Sequence, residues 1–412
     1  MIPIGTTITT NTGHRVVVKC FISSGGQGVV YLVIDVRTGA SGVIKVFHDK
    51  FDKGTTEQRI RYLISKQLNT KCRTLIAPTE WFSTTKFVGH YAPFVAGQSL
   101  EQVVANPKFD FYRGLCVALA VAWSVDILHN QGLASGDIHA GNYLISEVNS
   151  HFEVQCIDND NFAASGAPPP PMIGHELYTP LELRDEPLSG RPVLPSILTD
   201  RYELTVLLHE VILLCHPAAG QEDSETGFQR AMSGRWLLDP TLLKRSSTIL
   251  GYSPFALNSD LCRLFRKGLS TDPHERPTAH EWVSVLTAAL DCVDYCDTCG
   301  YPSIIESGKT CCPVNRHPYP QLRLVIKDSG KTIPLRGATC IGRDDLGGSA
   351  CVSSRHATVR QTAFGITLET FGRNGTYRWN GSDWKKIPDG RPVVVHKDER
   401  LRFADVQVMV TR

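Results

Sequence analysis

Three side chains with oxygen donors stand at the ends of apolar runs in the middle of the chain. Asp137 and Asn142 lie five residues apart in ASGDIHAGNYLI (134–145), and Asp158 ends the apolar part of VQCIDND (154–160). Mg²⁺ prefers such oxygens and binds through a few of them together with substrate phosphates. The pattern predicts that Asn142 and Asp158 hold a metal ion, and that Asp137 orients and deprotonates a hydroxyl during phosphoryl transfer.

A second group, near the N-terminus, has the residue types that bind phosphate. SSGGQGVVY (23–31) lies between two β-type runs, and its glycines let backbone N–H groups approach phosphate oxygens. Lys45 follows on the next apolar run, where a buried cation needs a partner. A phosphate and Glu57, on the following helical stretch, are the predicted partners. A flexible hairpin turn and a solvated strand-edge lysine are the simpler alternatives.

Strands and helices must position these residues. Apolar alternation predicts strands over 14–50, 74–82 and 86–95, and helical spacing predicts a helix over 55–68. From about 110 to 290 the chain is predicted to be mostly helical. Short β-type runs from 321 to the end predict an all-β sandwich, so we expect domain boundaries near 290 and 320.

Composition limits the class of protein. The 412 residues allow two or three domains, and the charged fraction of 20% is ordinary for a globular chain. A net charge of +2 gives no electrostatic case for binding nucleic acid or an anionic membrane. No apolar run reaches the roughly 18 residues of a membrane span, and no secretory signal is visible. Scattered single cysteines indicate reduced thiols and a cytoplasmic location.

Five of the 13 cysteines crowd between residues 292 and 312. Cys296-x-x-Cys299 followed by glycine is typical of a metal knuckle, whose tight turn points two thiolates at one ion. A segment of about 30 residues has too little core to be ordered alone, which favours a metal staple. The predicted zinc ligands are Cys296, Cys299 and Cys312, with the fourth open among Cys311, Cys292 and His317. Reduced thiols in a packed linker are the main alternative, and a redox pair is a weaker one.

Three short motifs stand in order in the C-terminal β region: CIGRDD (340–345), VSSRHATV (352–359) and GRNGTY (372–377). Arg343 offers a guanidinium fork for phosphate, and Ser353 offers a hydroxyl and a backbone N–H. Asn374 begins a turn, and its side chain can bind a peptide backbone. His356 is predicted to be structural. The alternative is a sandwich used only for packing.

In their order and spacing, the motifs of residues 14–290 resemble the protein-kinase family. SxGGQGxVY is similar to the glycine-rich loop, VIK carries Lys45, GDIHAGN (136–142) resembles the catalytic loop and IDND (157–160) the metal-binding DFG segment. GHELYTPLE (174–182) resembles the end of the activation segment, and Asp200 and Arg276 match later motifs. The resemblance implies ATP and Mg²⁺ as cofactors and the catalytic residues Asp137, Lys45, Asn142 and Asp158. It implies nucleotide contacts from Gly25, Gly26, Gln27, Gly28, Val30, Lys45, Glu57, Tyr91 and Pro93, with adenine near the backbone of the last two.

Several positions depart from that family's pattern. Gly136 stands where an Arg that clamps a phosphorylated activation loop is common, so activation by that route is not expected. His139 replaces a Lys, as in small-molecule kinases, and His175 stands where a Thr often holds the catalytic loop. Asn159 and Asp160 replace the Phe and Gly of DFG. None of these changes removes a metal ligand or the ATP lysine.

The whole pattern, with GHYAPFVAG and HPAAG, is most similar to bacterial kinases of the tellurite-resistance-associated phosphorylation triad. Members of that group accompany a von Willebrand A-type protein and a PP2C-like phosphatase, and often carry a Cys-rich module. The resemblance implies these two partners by association only.

Residues 321–412 resemble a forkhead-associated (FHA) domain, a class that binds phosphothreonine peptides. The GR, SxxH and NGT motifs match. Arg373 stands where Ser is common, and Ser354 stands where a basic residue is common. The implied phosphopeptide-binding residues are Arg343, Ser353, Ser354, Arg373 and Asn374.

The N-terminal TTITTNT (6–12) has five Thr in seven residues, outside any obvious core. We expect it to be autophosphorylated and to dock on an FHA domain, in cis or in trans. The partner would then be this phosphorylated N-terminus or another phosphothreonine protein. A plain polar leader is the alternative.

The sequence therefore predicts a multidomain α+β protein. Residues 1–290 would form a bilobal protein-kinase-like domain (N-lobe about 1–95, C-lobe about 96–290), 291–320 a small zinc-ribbon-like linker and 321–412 an all-β FHA sandwich. The predicted function is that of a cytoplasmic bacterial Ser/Thr kinase. A pseudokinase scaffold acting through the FHA domain and a small-molecule kinase stay open as alternatives.

Overall fold

Two compact units make up the chain in this computed structural model: Met1–Leu237 with Leu264–Val283, and Leu238–Arg263 with Ser284–Arg412. The structure describes residues 1–148, 151–158, 160, 162–165, 174–184, 194–218, 233–243, 251–296, 298–306, 311–318, 322–335, 338–361 and 366–411. Asn159 and the PPPP stretch (168–171) lie outside these residues. The division into three domains stays a prediction.

The N-terminal part of the first unit is built on one antiparallel sheet. Its strands are β1 (Thr7–Thr9), β2 (Arg15–Ser24), β3 (Gly28–Asp35), β4 (Ser41–Phe47), β5 (Glu80–Ser83) and β6 (Val88–Pro93), in the order β1-β2-β3-β4-β6-β5. Val16, Val33 and Ile44 belong to the buried cluster on one face. Because successive residues of a strand face opposite ways, Lys45 is directed to the other face.

The Thr-rich segment belongs to this sheet, which corrects the expectation that it lies outside the core. β1 pairs with β2, and Ile8 is buried. Thr10 is buried too, and its hydroxyl donates to the Glu80 carboxylate, to which Thr12 also donates at 2.7 Å. The two residues flanking Ile8 stay exposed. Only part of the segment is therefore open to a modifying enzyme.

Two helices, α1 (Lys53–Ser65) and α2 (Leu68–Lys71), connect β4 to β5. Asp52 caps α1, since its side chain accepts the backbone N–H of Thr55 at 2.8 Å. The buried side of α1 carries Arg59, Ile60 and Leu63. Consecutive residues of a helix are about 100° apart, so the direction of Arg59 lies about 200° around the axis from that of residue 57.

The remainder of the first unit is mainly helical. Its elements are β7 (Gln98–Ser99), α3 (Leu100–Val104), α4 (Phe111–Asn130), β8 (Leu133–Ala134), a 3-10 helix (Ala140–Asn142), β9 (Tyr143–Val148), β10 (His151–Cys156), β11 (Ala163–Ala164), α5 (Leu181–Arg184) and α6 (Ile197–Leu213). Two more helices follow in the chain, Ser259–Gly268 and Ala279–Leu290. The strands form two small sheets, β10-β9-β7 and β11-β8.

Helices α4 and α6 form the centre of this part of the fold. A Cβ atom at Gly114 would lie 2.6 Å from the carbonyl oxygen of Val211, so glycine is what lets the two helices approach closely. Among the described residues, α4 is the one helix long and apolar enough to cross a membrane. Its Leu115, Val121 and Val125 are fully buried, so core packing accounts for that composition.

The second unit carries a short hairpin followed by a β-sandwich. The hairpin is β12 (Val293–Tyr295) with β13 (Pro302–Ile304). One sandwich sheet, ordered β15-β14-β23-β22-β19-β20, contains Thr332–Pro334, Arg323–Ile326, Val406–Thr411, Arg400–Phe403, Thr376–Trp379 and Trp384–Lys386. The other, ordered β16-β17-β18-β21, contains Ala338–Ile341, Ala357–Gln361, Ile366–Thr370 and Val393–Val395. Leu324, Val359, Leu368 and Phe403 lie in the shared core.

The hairpin is tied to the sandwich by polar contacts near β21. The Val394 N–H donates to the carbonyl of Asp291 at 2.8 Å, and the Arg391 guanidinium lies 2.9 Å from the Asp291 carboxylate. His396 lies 3.2 Å from the Asp294 carboxylate, and this partner raises its pKa. The Cys-rich segment and the sandwich therefore pack together within one unit.

A buried ion pair fastens the segment that contains α5. Arg276 binds the Glu182 carboxylate through two nitrogens, at 2.5 and 3.0 Å. The same guanidinium donates to the carbonyls of Ser270 and Leu198 at 3.0 and 3.1 Å. Arg276 and Glu182 both stand at motif positions that the sequence indicated. A planar guanidinium can bind both oxygens of a carboxylate through two parallel N–H groups.

We expect Arg276→Ala to lower the free energy of unfolding by about 3 kcal/mol, because it leaves Glu182 and two partly buried carbonyls without their donor. Chemical denaturation followed by circular dichroism would measure the change. Arg263→Ala is the control, since Arg263 pairs with Asp260 on the exposed surface, and its effect should be close to zero. Equal effects of the two substitutions would contradict the assignment.

Candidate functional site

The loop that carries Asp137 is held from below by α6. The Asp200 carboxylate is fully buried and accepts the backbone N–H groups of Ser135 at 2.6 Å and Gly136 at 2.8 Å. His129, at the end of α4, contacts the same carboxylate at 3.0 Å. Three contacts to one buried anion fix the backbone immediately before Asp137.

Glu203, one turn along α6, extends this support and was missed by the sequence reasoning. Its Oε2 accepts the backbone N–H of Ile138 at 2.9 Å. Burial, together with the neighbouring Asp200, raises the pKa of Glu203 well above its usual range. The signal in the sequence was a carboxylate within the apolar run ELTVLLHEVIL (203–213), which is costly unless the group is paired or neutral.

The predicted catalytic side chains meet on the other side of this loop. The Asn142 amide donates to the Asp137 carbonyl at 2.9 Å and to its carboxylate at 3.2 Å, which fixes the direction of the acid. The Ile157 N–H donates to the Asn142 carbonyl at 2.8 Å and brings the next residue, Asp158, to the same site. Asp158 has φ of 57°, a left-handed conformation that is strained for a non-glycine residue.

The two histidines that depart from the family pattern also lie here. His139 Nε2 is 3.6 Å from the Asp137 carboxylate, and its ring lies 5.0 Å from that of His175. Burial lowers the pKa of His139, although Asp137 opposes the shift. A Cβ atom at Gly174 would lie 2.5 Å from the Gly136 carbonyl. The stretch predicted to end the activation segment therefore packs directly against the loop of Asp137.

Lys45 is bound by two carboxylates of the segment 157–160, which the sequence predicted to bind metal. Its ammonium lies 2.5 Å from Asp158 and 2.9 Å from Asp160, and it donates to the Gln27 side chain at 3.3 Å. The predicted pairing of Lys45 with Glu57 is therefore wrong in this structure. Glu57 instead pairs with Arg61, four residues along α1, at 3.3 Å. The reason is that α1 turns its Arg59 face inward and Glu57 away.

Asp160 is the centre of a buried polar network that the sequence reasoning did not find. His90 on β6 contacts its second carboxylate oxygen at 2.9 Å, and Arg59 donates to its backbone carbonyl at 3.2 Å. Burial alone would raise the pKa of Asp160, but Lys45 and His90 hold it below its usual range. Likewise, Asp160 and Asp158 keep the pKa of Lys45 above its usual value despite burial.

The other predicted nucleotide contacts lie on strands and a loop around Lys45, but not all of their side chains share its face of the sheet. Val30 on β3 and His90 on β6 lie opposite Lys45 in register. A Cβ atom at Gly28 would lie 2.3 Å from the carbonyl oxygen of Val46, so the loop of Gly25, Gly26, Gln27 and Gly28 can follow β4 closely only with glycine there. Tyr91 lies opposite Ile44, so its side chain and that of Pro93 point to the other face, and only their backbone can meet a ligand.

The side-chain oxygens of Asp158 and Asn142 are suitable ligands for a divalent cation. The side chain of Asp158 is partly exposed, and burial beside Asp160 and Asp137 raises its pKa, although Lys45 opposes this. A cation near Asp158 and Asn142 would relieve the repulsion among these carboxylates. Mg²⁺ suits such a set of carboxylate and amide oxygens.

A family model described as the protein kinase domain matches residues 17–285. That match covers well over half of the chain, so the protein belongs to the protein kinase family. No curated protein matches the chain significantly. Membership of this family supports phosphotransferase activity and implies ATP and Mg²⁺ as cofactors, and the loop of Asp137 and Asn142 lies within the matched region.

A separate cluster in the second unit has metal-ligand geometry. Ligand atoms of Cys296, Cys299, Cys312 and His317 all lie within 4.8 Å of one another. The Gly300 N–H donates to the Cys296 carbonyl at 2.7 Å, which closes the predicted knuckle. Burial opposes ionisation of Cys299, but the Asn315 side chain, the Tyr301 backbone N–H and the neighbouring thiols lower its pKa to about 6. Three thiols and one imidazole suit tetrahedral zinc.

Cys311, one of the three residues left open for the fourth ligand, is not part of that cluster. It forms an isolated bridge with Pro318 instead, because adjacent residues in extended backbone point in opposite directions. His317 takes the fourth place, with Nδ1 at 3.5 Å from the sulfur of Cys296. Cys292 is also outside the cluster, and its thiol lies 3.4 Å from the carbonyl of Pro392.

The loops of the sandwich bring the C-terminal motifs to one end. Arg343 donates through Nε to the Val352 carbonyl at 3.0 Å, and its N–H bonds the carbonyl of Ser353 at 3.1 Å. The Ser353 hydroxyl accepts the N–H of Arg373 at 3.2 Å, and the Asn374 amide donates to the Cys351 carbonyl at 2.7 Å. These bonds join the β16–β17 loop to the β18–β19 loop.

His356 and two glycines fix this end from inside. His356 is fully buried, and Nε2 contacts the Gly375 carbonyl at 3.1 Å, which agrees with the structural role predicted for it. A Cβ atom at Gly342 would lie 1.8 Å from the carbonyl oxygen of Ser354, so the loop closes only with glycine. The side chains of Ser354 and Arg373 are exposed there.

Proposed function

We propose that the chain is an ATP- and Mg²⁺-dependent Ser/Thr protein kinase whose C-terminal FHA domain binds phosphothreonine peptides. The observation that carries the first part is the catalytic loop. Asp137 is fixed by Asn142 on one side, and its backbone is held by Asp200 and Glu203 on the other. Phosphoryl transfer depends mainly on such positioning and on neutralised charge.

Each side chain has one role in this proposal. Asp137 accepts the proton of the substrate hydroxyl and aligns its oxygen with the phosphoryl group. Lys45 binds the phosphates under the glycine-rich loop, and adenine lies against the backbone of residues 91–93. Asn142 and Asp158 hold Mg²⁺, which supplies neutralisation of the phosphate charge when bound. Protein hydroxyls are the proposed acceptors, with exposed threonines of the N-terminus among them.

Mass-spectrometric mapping of phosphosites after incubation with ATP and Mg²⁺ tests the kinase activity. We expect phosphothreonine on the wild-type chain and none on Asp137→Ala or Lys45→Ala. Thr7 and Thr9, which are exposed on β1, should be modified before the buried Thr10, whose hydroxyl already donates to Glu80. No incorporation by folded wild-type protein would contradict an active kinase and favour a scaffold.

The FHA part of the proposal is supported by the converged loops of the sandwich. Arg343 and the exposed Arg373 supply two guanidinium groups at that end, which suits a phosphate dianion. Asn374 lies beside them and can bond the peptide backbone. Ser354 stands where the family pattern has a basic residue, and the exposed Arg373, whose N–H bonds the neighbouring Ser353 hydroxyl, adds a positive charge at this end.

Fluorescence anisotropy with a peptide of residues 3–15 phosphorylated at Thr9 tests phosphate recognition. We expect Arg343→Ala to weaken binding at least about tenfold, since a charge-assisted pair to phosphate is lost. Arg400→Ala, an exposed arginine on β22, is the control and should bind as the wild type does. Equal affinity for the phosphorylated and unphosphorylated peptides would contradict the proposal.

We also propose that the four-residue cluster binds one structural zinc ion. Purified protein should contain about one equivalent of zinc by elemental analysis, and Cys312→Ser should lose most of it because a thiolate ligand is removed. Cys311→Ser, at the adjacent position, should keep the zinc and the thermal unfolding midpoint. Retention of zinc by Cys312→Ser together with loss in Cys311→Ser would reverse the ligand assignment.

The proposed setting is the bacterial cytoplasm. The proposed partners are a phosphothreonine protein or the chain's own phosphorylated N-terminus. A PP2C-like phosphatase and a von Willebrand A-type protein are further candidates, which rest on the resemblance of the sequence motifs.

A further inference from the structure

The ammonium of Lys45 has three acceptors that differ in their freedom to move. Its side chain is only 7% exposed, and a cation buried to that extent requires nearby negative charge or hydrogen-bond acceptors. Asp160 is 1% exposed, whereas the Asp158 side chain is 40% exposed. The third acceptor, Gln27, belongs to the glycine-rich loop. Only one of the three is enclosed by the protein.

Asp160 has hydrogen-bond partners at both carboxylate oxygens, at its carbonyl and at its backbone N–H. One carboxylate oxygen binds Lys45 and the other binds His90, both at 2.9 Å. Its carbonyl accepts from Arg59, and its N–H donates to the Asp158 carbonyl at 2.9 Å. Turning this side chain away would break two buried charge-assisted bonds, each costing more than a neutral bond would.

Asp158 is held far less firmly. The only hydrogen bond described for its carboxylate is the one from Lys45, and the side chain borders solvent. Gln27 contacts Lys45 at 3.3 Å, which is a long hydrogen bond. Both groups can leave the ammonium without exposing a buried partner.

Helix α1 reaches this network through a cation. Arg59 donates to the carbonyls of Asp160 and Phe162, both at 3.2 Å. Glu57 lies on a different side of the helix, where its carboxylate is 25% exposed and pairs with Arg61. A carboxylate of α1 could reach Lys45 only if the helix rotated and withdrew Arg59 from those carbonyls.

We propose that Asp160 is the permanent counter-ion that positions Lys45, in the place where Glu57 was expected to act. Asp158 and Gln27 are exchangeable partners, which release Lys45 when nucleotide phosphates and the metal ion enter. This inference rests on the proposed kinase function. It makes the segment 157–160 supply both a metal ligand and the partner of the phosphate-binding lysine.

Steady-state kinetics of the full chain with three variants tests this assignment. Asp160→Asn should lower kcat/KM for ATP at least tenfold while the Mg²⁺ concentration for half-maximal rate stays the same. Asp158→Asn should raise that Mg²⁺ requirement. Glu57→Gln is the matched control, and its kcat/KM should stay within twofold of the wild type. A tenfold loss in Glu57→Gln with normal kinetics in Asp160→Asn would overturn the inference.

A double-mutant cycle on unfolding, without nucleotide, gives an independent result. The shifts in thermal midpoint caused by Lys45→Met and Asp160→Asn should be non-additive, while those of Lys45→Met and Glu57→Gln should add. The opposite result would overturn the inference. If the wild type bound no ATP, the proposed kinase function would be refuted. The double-mutant cycle would still show whether Asp160 is the partner of Lys45. If Asp160→Asn does not fold, a tenfold loss of kcat/KM in Glu57→Gln would overturn the inference, because the partly exposed Glu57 can be replaced by Gln without disturbing the core.

Discussion

The buried ammonium of Lys45 on β4 must be neutralised by nearby negative charge, and the surrounding elements supply it. Its position is fixed by sheet alternation, and a buried charge is tolerated only with close counter-charges. The segment after β10 provides two, Asp158 and Asp160, so the sheet and the catalytic region are joined by charge as well as by packing. Arg59 and His90 then hold Asp160 from α1 and β6. The arrangement of these elements follows from satisfying one cation.

The second constraint is the support that α6 gives to the catalytic loop. Asp200 and Glu203 accept backbone N–H groups on both sides of Asp137, so the irregular backbone before the 3-10 helix at Ala140–Asn142 is held in place. The buried Asp200 carboxylate would be costly without several donors, and the N–H groups of Ser135 and Gly136, together with His129, supply them. The helix and the loop stabilise one another, and the acid is presented in a fixed direction.

Much of this could be predicted because local patterns determine it. Strand alternation, the spacing of the loop residues Asp137 and Asn142, and the Cys-x-x-Cys turn are all short-range features. The partner of Lys45 is not such a feature, because it depends on the rotation of α1, which packing decides. The choice of His317 over Cys311 likewise depends on which way each side chain points. Both the partner of Lys45 and the fourth zinc ligand depend on the directions of side chains in space, which the spacing of residues along the chain does not give.

A crystal structure of the chain with Mg²⁺ and a non-hydrolysable ATP analogue would test the central claim most directly. The account predicts that Lys45 stays within hydrogen-bond distance of Asp160, about 3 Å, while Asp158 leaves it to contact the metal ion. Lys45 paired with Glu57, with Asp160 turned away from His90, would contradict the account.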